Sequence, residues 1–291
     1  MLSTREIKQR IRSVTSIKQI TRAMEMVAAS RLKKVEMKVQ ASRAYADKMR
    51  QVLSHLVASP SLDTASPCFV DKSAANPVIK VILITSDKGL CGAYNNNIIQ
   101  TFVKFAKEHA GKTIQLTLIG KKGNYYFSKR AYSVEKYLPE NVEKIGYAQV
   151  KALASELISG YEAGEFGQLY IFFTKFQTMM RFSPMCIRLM PIEKGALESG
   201  EKLQGEYIFE PSADQILNRL FPKYIETQMY QCLLESLTSE YASRRMAMLA
   251  ATDNAGEMIE ELTRTYNKAR QEAITKELLE VVSGAEALVK A

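Results

Sequence analysis

The sequence predicts an α/β protein: an antiparallel coiled coil of the N- and C-terminal helices plus a central three-layer α/β domain. Three observations predict it. Residues 3–57 contain neither Gly nor Pro and repeat small or apolar side chains with a mean spacing of 3.5 residues, the coiled-coil period. The middle of the chain alternates β-branched runs with helical patterns. Beyond Pro222 the 3.5-residue repeat returns, with Gly256 the only Gly and no further Pro before Gly284. The predicted organisation is an N-terminal helix over 1–57, an α/β domain over 58–211 and a C-terminal helix over 212–291 that pairs with 1–57.

The first helix opens on Ser3-Thr4-Arg5-Glu6, a capping box in which hydroxyl and carboxylate satisfy orphan amides reciprocally. Its seam reads Ile7, Ile11, Val14, Ile17, Thr21, Met24, Ala28, Leu32, Val35, Val39, Ser42, Ala46, Met49, Leu53 and Leu56. At ~1.5 Å per residue such a helix is roughly 80 Å long, more than a compact domain hides. Residues 58–77, rich in Ser, Ala and Pro, read as a loop. Val78–Thr85 is a buried-type strand ending in Ser86-Asp87-Lys88-Gly89, and a helix follows over 95–109. Ile114–Ile119 is a strand, Lys121–Arg130 a short helix and Tyr147–Ala163 another, with strands over 169–174 and 185–190. This alternation predicts a largely parallel, Rossmann-like sheet between helical layers. Ser212-Ala213-Asp214-Gln215 forms a second capping box; a short helix runs to Phe221, and Pro222 suits the first turn of the next.

The C-terminal seam runs Leu234, Leu237, Tyr241, Arg244, Met248, Ala251, Ala255, Met258, Leu262, Thr265, Ala269, and Arg244 interrupts it. Both long helices are attached to the same domain, so they pair antiparallel, and the second overhangs the first by roughly 18 Å at ~1.5 Å per residue. In the overhang, Leu278, Leu279, Val281 and Val282 point in several directions. A helix apolar on most sides has to be enclosed, and this chain has nothing left to enclose it. Another protein must.

Composition narrows the function. With 46% hydrophobic and 24% charged residues the chain is neither disordered nor fibrous. No apolar run reaches the ~18 residues of a membrane span. The four cysteines (Cys68, Cys91, Cys186, Cys232) form no CxxC pair, so neither a zinc site nor a disulfide framework is expected, which fits a reducing compartment. Of the net charge of +9, all lies in residues 1–57, with 13 Lys/Arg against 4 Asp/Glu. That localisation points to an acidic partner for the first helix. An organelle transit peptide is a rival explanation of an Arg-rich start, but the periodicity runs on for about 50 residues without a cleavage-like break.

Catalytic constellations are absent: His55 and His109 have no Ser or Cys partner suggested by spacing, and no cofactor is expected. The turn SDKGLCGAYN (86–95) precedes a helix N-terminus that would suit an anion, yet neither GxGxxG nor a P-loop occurs, and a structural connection is favoured. Tyr45 is the only aromatic of the basic helix, too little for base stacking. The narrow seam is unlike the broad face of a membrane-surface helix.

The segments ITRAMEMVAASR (20–31), SDKGLCGAYN (86–95), RRMAMLAATDNAGEMI (244–259) and ITKELLEVVSGAEAL (274–288) resemble the gamma subunit of F-type ATP synthase, in order and across the full chain. The resemblance implies the central-stalk rotor of a proton-translocating ATP synthase: a non-catalytic subunit whose coiled coil lies within a hexamer of alternating alpha and beta subunits. It implies that the α/β domain attaches to the epsilon subunit and the c-subunit ring near the membrane. It also implies contacts of Arg22, Met24, Arg245, Gln271 and Thr275 with beta subunits; Arg22 stands where Lys is more usual, keeping the charge but not the geometry. No regulatory cysteine insertion is visible, and the motif starts without a leader, which favours the cytoplasmic face of a bacterial inner membrane. Neither nucleic acid nor direct membrane contact is implied. The alternatives are a nucleotide-binding α/β enzyme with helical dimerisation arms, and a coiled-coil adaptor.

Overall fold

Helix α1 (Thr4–Ala58) begins at the expected capping box, where the Ser3 amide donates to Glu6 Oε2 at 2.8 Å and the Glu6 amide donates to Ser3 Oγ at 3.3 Å. These bonds, the backbone amide first, hold the Glu6 carboxyl below its ordinary pKa. The computed structural model describes residues 3–58, 72–192, 210 and 212–289, so Cys68 and most of the expected Ser/Pro-rich loop lie outside the described residues. The chain divides into two compact units, Ala29–Arg244 and Met1–Ala28 with Arg245–Ala291, and both long helices contribute to each.

The larger unit is built on a five-stranded sheet ordered β3-β2-β1-β4-β5. Its elements are β1 (Ile79–Ile84), α2 (Tyr94–Glu108), β2 (Ile114–Ile119), α3 (Lys121–Phe127), β3 (Ser133–Leu138), α4 (Tyr147–Glu162), β4 (Gln168–Thr178) and β5 (Arg181–Met190). The first four strands in space pair parallel and β5 pairs antiparallel with β4. Every residue of β1 is buried because both faces are covered. Ile79, Val81 and Leu83 point to a cluster with Ile98 and Phe102 of α2 and Phe127 of α3. Phe102 meets Phe127 and Phe172 edge-on, with ring centroids 5.2 and 5.5 Å apart. Ile82 and Ile84 point the other way, into a cluster with Leu53 and Leu56 of α1, Leu153 and Leu157 of α4, and Leu233 and Leu237 of helix α5 (Ala213–Val289). The third layer is thus completed by the terminal helices themselves.

Four expectations change. Strand β3 was not anticipated, because its alternation SVEKYL carries Glu135 and Lys136 and none of its residues is fully buried. Strands β4 and β5 continue into a partly exposed hairpin, Lys175–Thr178 and Arg181–Pro184, in which no residue is fully buried. Pro184 sits on the edge strand, where its missing donor is tolerated. The predicted break before Pro222 is absent: α5 is continuous, with Pro222 inside it. A proline there removes one helical hydrogen bond, and burial of Leu217, Phe221 and Ile225 around it outweighs the loss. Finally, Ile17 and Met258, assigned to the seam, are 52% and 51% exposed.

In the smaller unit, α1 and α5 run antiparallel. The Arg245 guanidinium lies 3.4 Å from Glu25, Thr252 and Thr21 share a hydrogen bond of 2.7 Å, and Gly256 lies against Lys18. Ile7, Thr21, Ala28, Met248 and Ala255 are buried along the seam. Continuing that register brings α1 to its first residues opposite about Arg270. From Arg270 to Ser283 every residue of α5 is exposed. None of the described helices is long and apolar enough to cross a membrane.

Candidate interaction surfaces and the occupied crevice

The five residues singled out from the sequence all lie in the smaller unit. Arg22 is exposed and Met24 half-buried; both neighbour Glu25, the partner of Arg245, so three of the five gather on one stretch of the helix pair. Gln271 and Thr275, one turn apart, are fully on the surface in the unpaired end of α5. They stand about 39 and about 45 Å further along the helix from Arg245 at ~1.5 Å per residue. Apolar side chains are exposed among the charged ones on these helices: Ile20, Met26 and Val27 on α1 are 59%, 56% and 54% exposed, and Leu249, Met258 and Ile274 on α5 are exposed as well. Sequence reasoning missed Ile20, Met26, Val27 and Leu249. The available signal was that these large apolar residues fall off the seam, between its positions.

At the unpaired end Leu278, Leu279, Val281 and Val282 are 61–70% exposed. Four such side chains in five positions spread over a broad arc of the helix and leave only a narrow polar side, where Lys276 pairs with Glu280 at 3.8 Å. Isolated exposed apolar residues are ordinary on protein surfaces; a contiguous apolar end marks an interaction site.

In the larger unit, the strand order places a topological switch point between β1 and β4, where open α/β sheets bind ligands outside the strand ends. Here α5 occupies that place. Ser236 Oγ accepts from the Thr174 amide at 3.0 Å, Ser239 donates to the Thr174 carbonyl at 3.0 Å, and Glu235 accepts from the Phe176 amide at 3.0 Å. Ser243 donates to the Cys91 carbonyl at 2.6 Å, and Arg244 donates to the Lys88 and Gly89 carbonyls at 3.1 and 3.3 Å. The glycine turn is itself fastened to the sheet, since Asp87 accepts from the Lys121 and Val142 amides. It binds the chain's own helix, which agrees with reading it as a structural connection. What remains open is a cleft of about 520 Å³ whose lining includes Arg31, Asp87, Glu143, Glu240, Tyr241 and Arg244. Two ion pairs lie within that lining, Arg31 with Glu143 and Arg244 with Glu240. Burial pushes the Glu240 carboxyl up, against the opposing pull of Arg244, and raises the Tyr241 hydroxyl to about 12. Among the described residues no His/Cys/Asp/Glu group could hold a metal ion, and His109 stacks on Phe105 with ring centroids 4.1 Å apart.

Residues 3–288 match the family described as ATP synthase. An ATP synthase gamma chain of Desulfitobacterium hafniense is 42% identical over 290 residues, covering 99% of this chain and 100% of the relative. The chain belongs to the ATP synthase gamma-chain family. A gamma chain of Heliobacterium modesticaldum is 41% identical over 295 residues, with 99% of this chain and 100% of the relative covered. The fold agrees with two solved assemblies. One is the central stalk and c-ring of Tetrahymena thermophila mitochondrial ATP synthase, with a TM-score of 0.58 at 24% identity over 80% of this chain and 99% of that one. The other is an OSCP/F1/c-ring structure from Euglena gracilis, with a TM-score of 0.66 at 15% identity over 98% and 94%. Membership of the gamma-chain family makes this a central-stalk, non-catalytic subunit of ATP synthase.

Proposed function

We propose that residues 1–57 and 212–291 act as a rotor shaft threaded through a hexamer of alternating alpha and beta subunits. In this reading residues 58–211 are the foot that engages the epsilon subunit and the c-ring, at the cytoplasmic face of a bacterial inner membrane with protons as the coupling ion. The observation that carries it is the end of α5, where Leu278, Leu279, Val281 and Val282 stand in solvent with no partner within the pair of helices. A sleeve of other subunits covers such an end; a flat neighbour covers one side only. Arg22, Met24, Arg245, Gln271 and Thr275 are proposed contacts with beta subunits, Arg245 while also held by Glu25. The basic excess of residues 1–57 supplies attraction to an acidic partner surface.

Coupling follows from symmetry. Two antiparallel helices have no three-fold axis, so they touch three chemically identical beta subunits differently. Each contact set favours a different conformation, and nucleotide affinity shifts with that population. Turning the shaft carries each site through tight, loose and empty states. The enzyme alternative loses support because α5 fills the crevice where such a sheet would hold a nucleotide. Deleting residues 274–291 tests the proposal in membranes containing the whole complex. Proton pumping per ATP hydrolysed is expected to fall, or the complex to fail to assemble; unchanged hydrolysis and unchanged pumping together would overturn the enclosed-end reading.

A further inference from the structure

Where α5 crosses the sheet it presents a polar ridge two residues wide: Glu235 and Ser236, Ser239 and Glu240, Ser243 and Arg244. The spacing of three and four residues puts them on one helix face. Glu235, Ser236, Ser239, Glu240, Ser243 and Arg244 are all buried. Apolar side chains would fill this layer more simply, and a buried ion pair such as Arg244–Glu240, at 2.7 Å, is a weak source of stability. Directional bonds offer something that apolar packing lacks, a single rotational setting. The acceptors are also held in place. Leu90 adopts φ of 60°, a left-handed conformation unusual for a side chain of its size, and Gly92 follows at 56°. Ser86 and Asn95 tie the two ends of the turn together, the Ser86 amide donating to Asn95 Oδ1 at 3.0 Å. The result is a row of carbonyls, Lys88, Gly89 and Cys91, aimed at one point on α5.

We propose that Ser243 and Arg244, seated on the carbonyls of Lys88, Gly89 and Cys91, are positioning residues that pin the rotational phase of α5 against the α/β sheet, so that torque applied to the sheet passes into the helix without slip. This rests on the central-stalk role. A helix packed only through apolar ridges can settle in a neighbouring groove under load; one whose guanidinium must find two carbonyls cannot do so without losing charge-assisted bonds. The helix that carries the pin runs on without a break to Val289.

The test uses the complete complex, with the hexamer immobilised and a marker on the α/β domain, and records ATP-driven rotation alongside pumping per ATP in membranes. Because Arg244→Met alone leaves Glu240 buried without its partner, the informative variant is Glu240→Gln with Arg244→Met, which removes both charges. A merely structural role predicts that this pair, if it assembles, rotates and pumps as the native chain does. The pin predicts native-like assembly and hydrolysis, with the fraction of dwells away from the main angular positions rising about tenfold, as loss of a charge-assisted bond shifts a two-register equilibrium. Pumping per ATP falls with it. Ser243→Ala, which removes one bond and little volume, gives the same change on a smaller scale and decides the matter if the double variant does not assemble. Native dwell positions and native pumping in the variants overturn the pin. A native complex whose marker does not turn at all overturns the central-stalk role instead.

Discussion

At Gly120 the chain leaves β2 for α3 with φ of 99°, and an added Cβ would overlap the carbonyl oxygen of Thr85. Thr85 is itself committed there: its hydroxyl donates to the Ile119 carbonyl at 3.1 Å and accepts from the Gly123 amide at 2.9 Å. Gly120→Ala therefore meets both backbone strain, about 1–3 kcal/mol, and a clash with main chain that cannot move aside. The thermal midpoint is expected to drop several degrees, at about 2–4 °C per kcal/mol for a body of this size; an unchanged midpoint would show that the turn relaxes freely. A second residue-scale effect is pH dependence. Burial raises the Cys186 thiol from 9.0 to about 12. The unfolded thiol releases its proton first as pH passes 9, so the stabilisation is complete below that pH and is lost as pH rises towards 12. Urea midpoints measured on both sides of pH 9 should fall less steeply with pH in Cys186→Ala than in the native chain. Equal slopes would mean that this thiol ionises as readily folded as unfolded.

Among the elements, the two long helices were legible in the sequence because little in them contradicts helix: caps at Ser3 and Ser212, a sustained 3.5-residue repeat that only Arg244 interrupts, and almost no Gly or Pro. Gln215 donates its amide to Ser212 Oγ at 3.3 Å, as the second cap requires. Local rules failed where tertiary burial overruled them. Pro222 reads as a helix start on its own, yet its neighbours Leu217, Phe221 and Ile225 are packed into one core, and that core keeps the helix whole. Strand β3 and the β4–β5 hairpin were missed for the opposite reason, since half-covered or exposed strands carry little apolar pattern. Pro222→Ala tests the first point. Restoring an amide donor within α5 should raise the thermal midpoint by a few degrees, the substitution recovering part of the ~3 kcal/mol that an interior proline costs a helix. A lower midpoint would mean that the proline ring contributes packing of its own.

For the whole molecule, the sequence carried the family resemblance, the charge concentrated in residues 1–57 and the uncovered end of α5. It did not carry the occupied crevice, because that needs the strand order as well as α5. A charged residue at position 244 of an otherwise apolar seam was the visible trace of it. Nor did it carry Ile20, Met26 and Val27 as surface, since a periodic reading attends to the apolar residues on the seam. The account as a whole depends on the end of α5 being open to water in the free chain and enclosed in the complex. Amide hydrogen exchange over residues 270–289, measured in the isolated chain and in the assembled ATP synthase, tests this most directly. The account predicts rapid exchange in isolation and exchange slowed about 100-fold or more on assembly; the same rate in both states, or full protection already in the free chain, would contradict it.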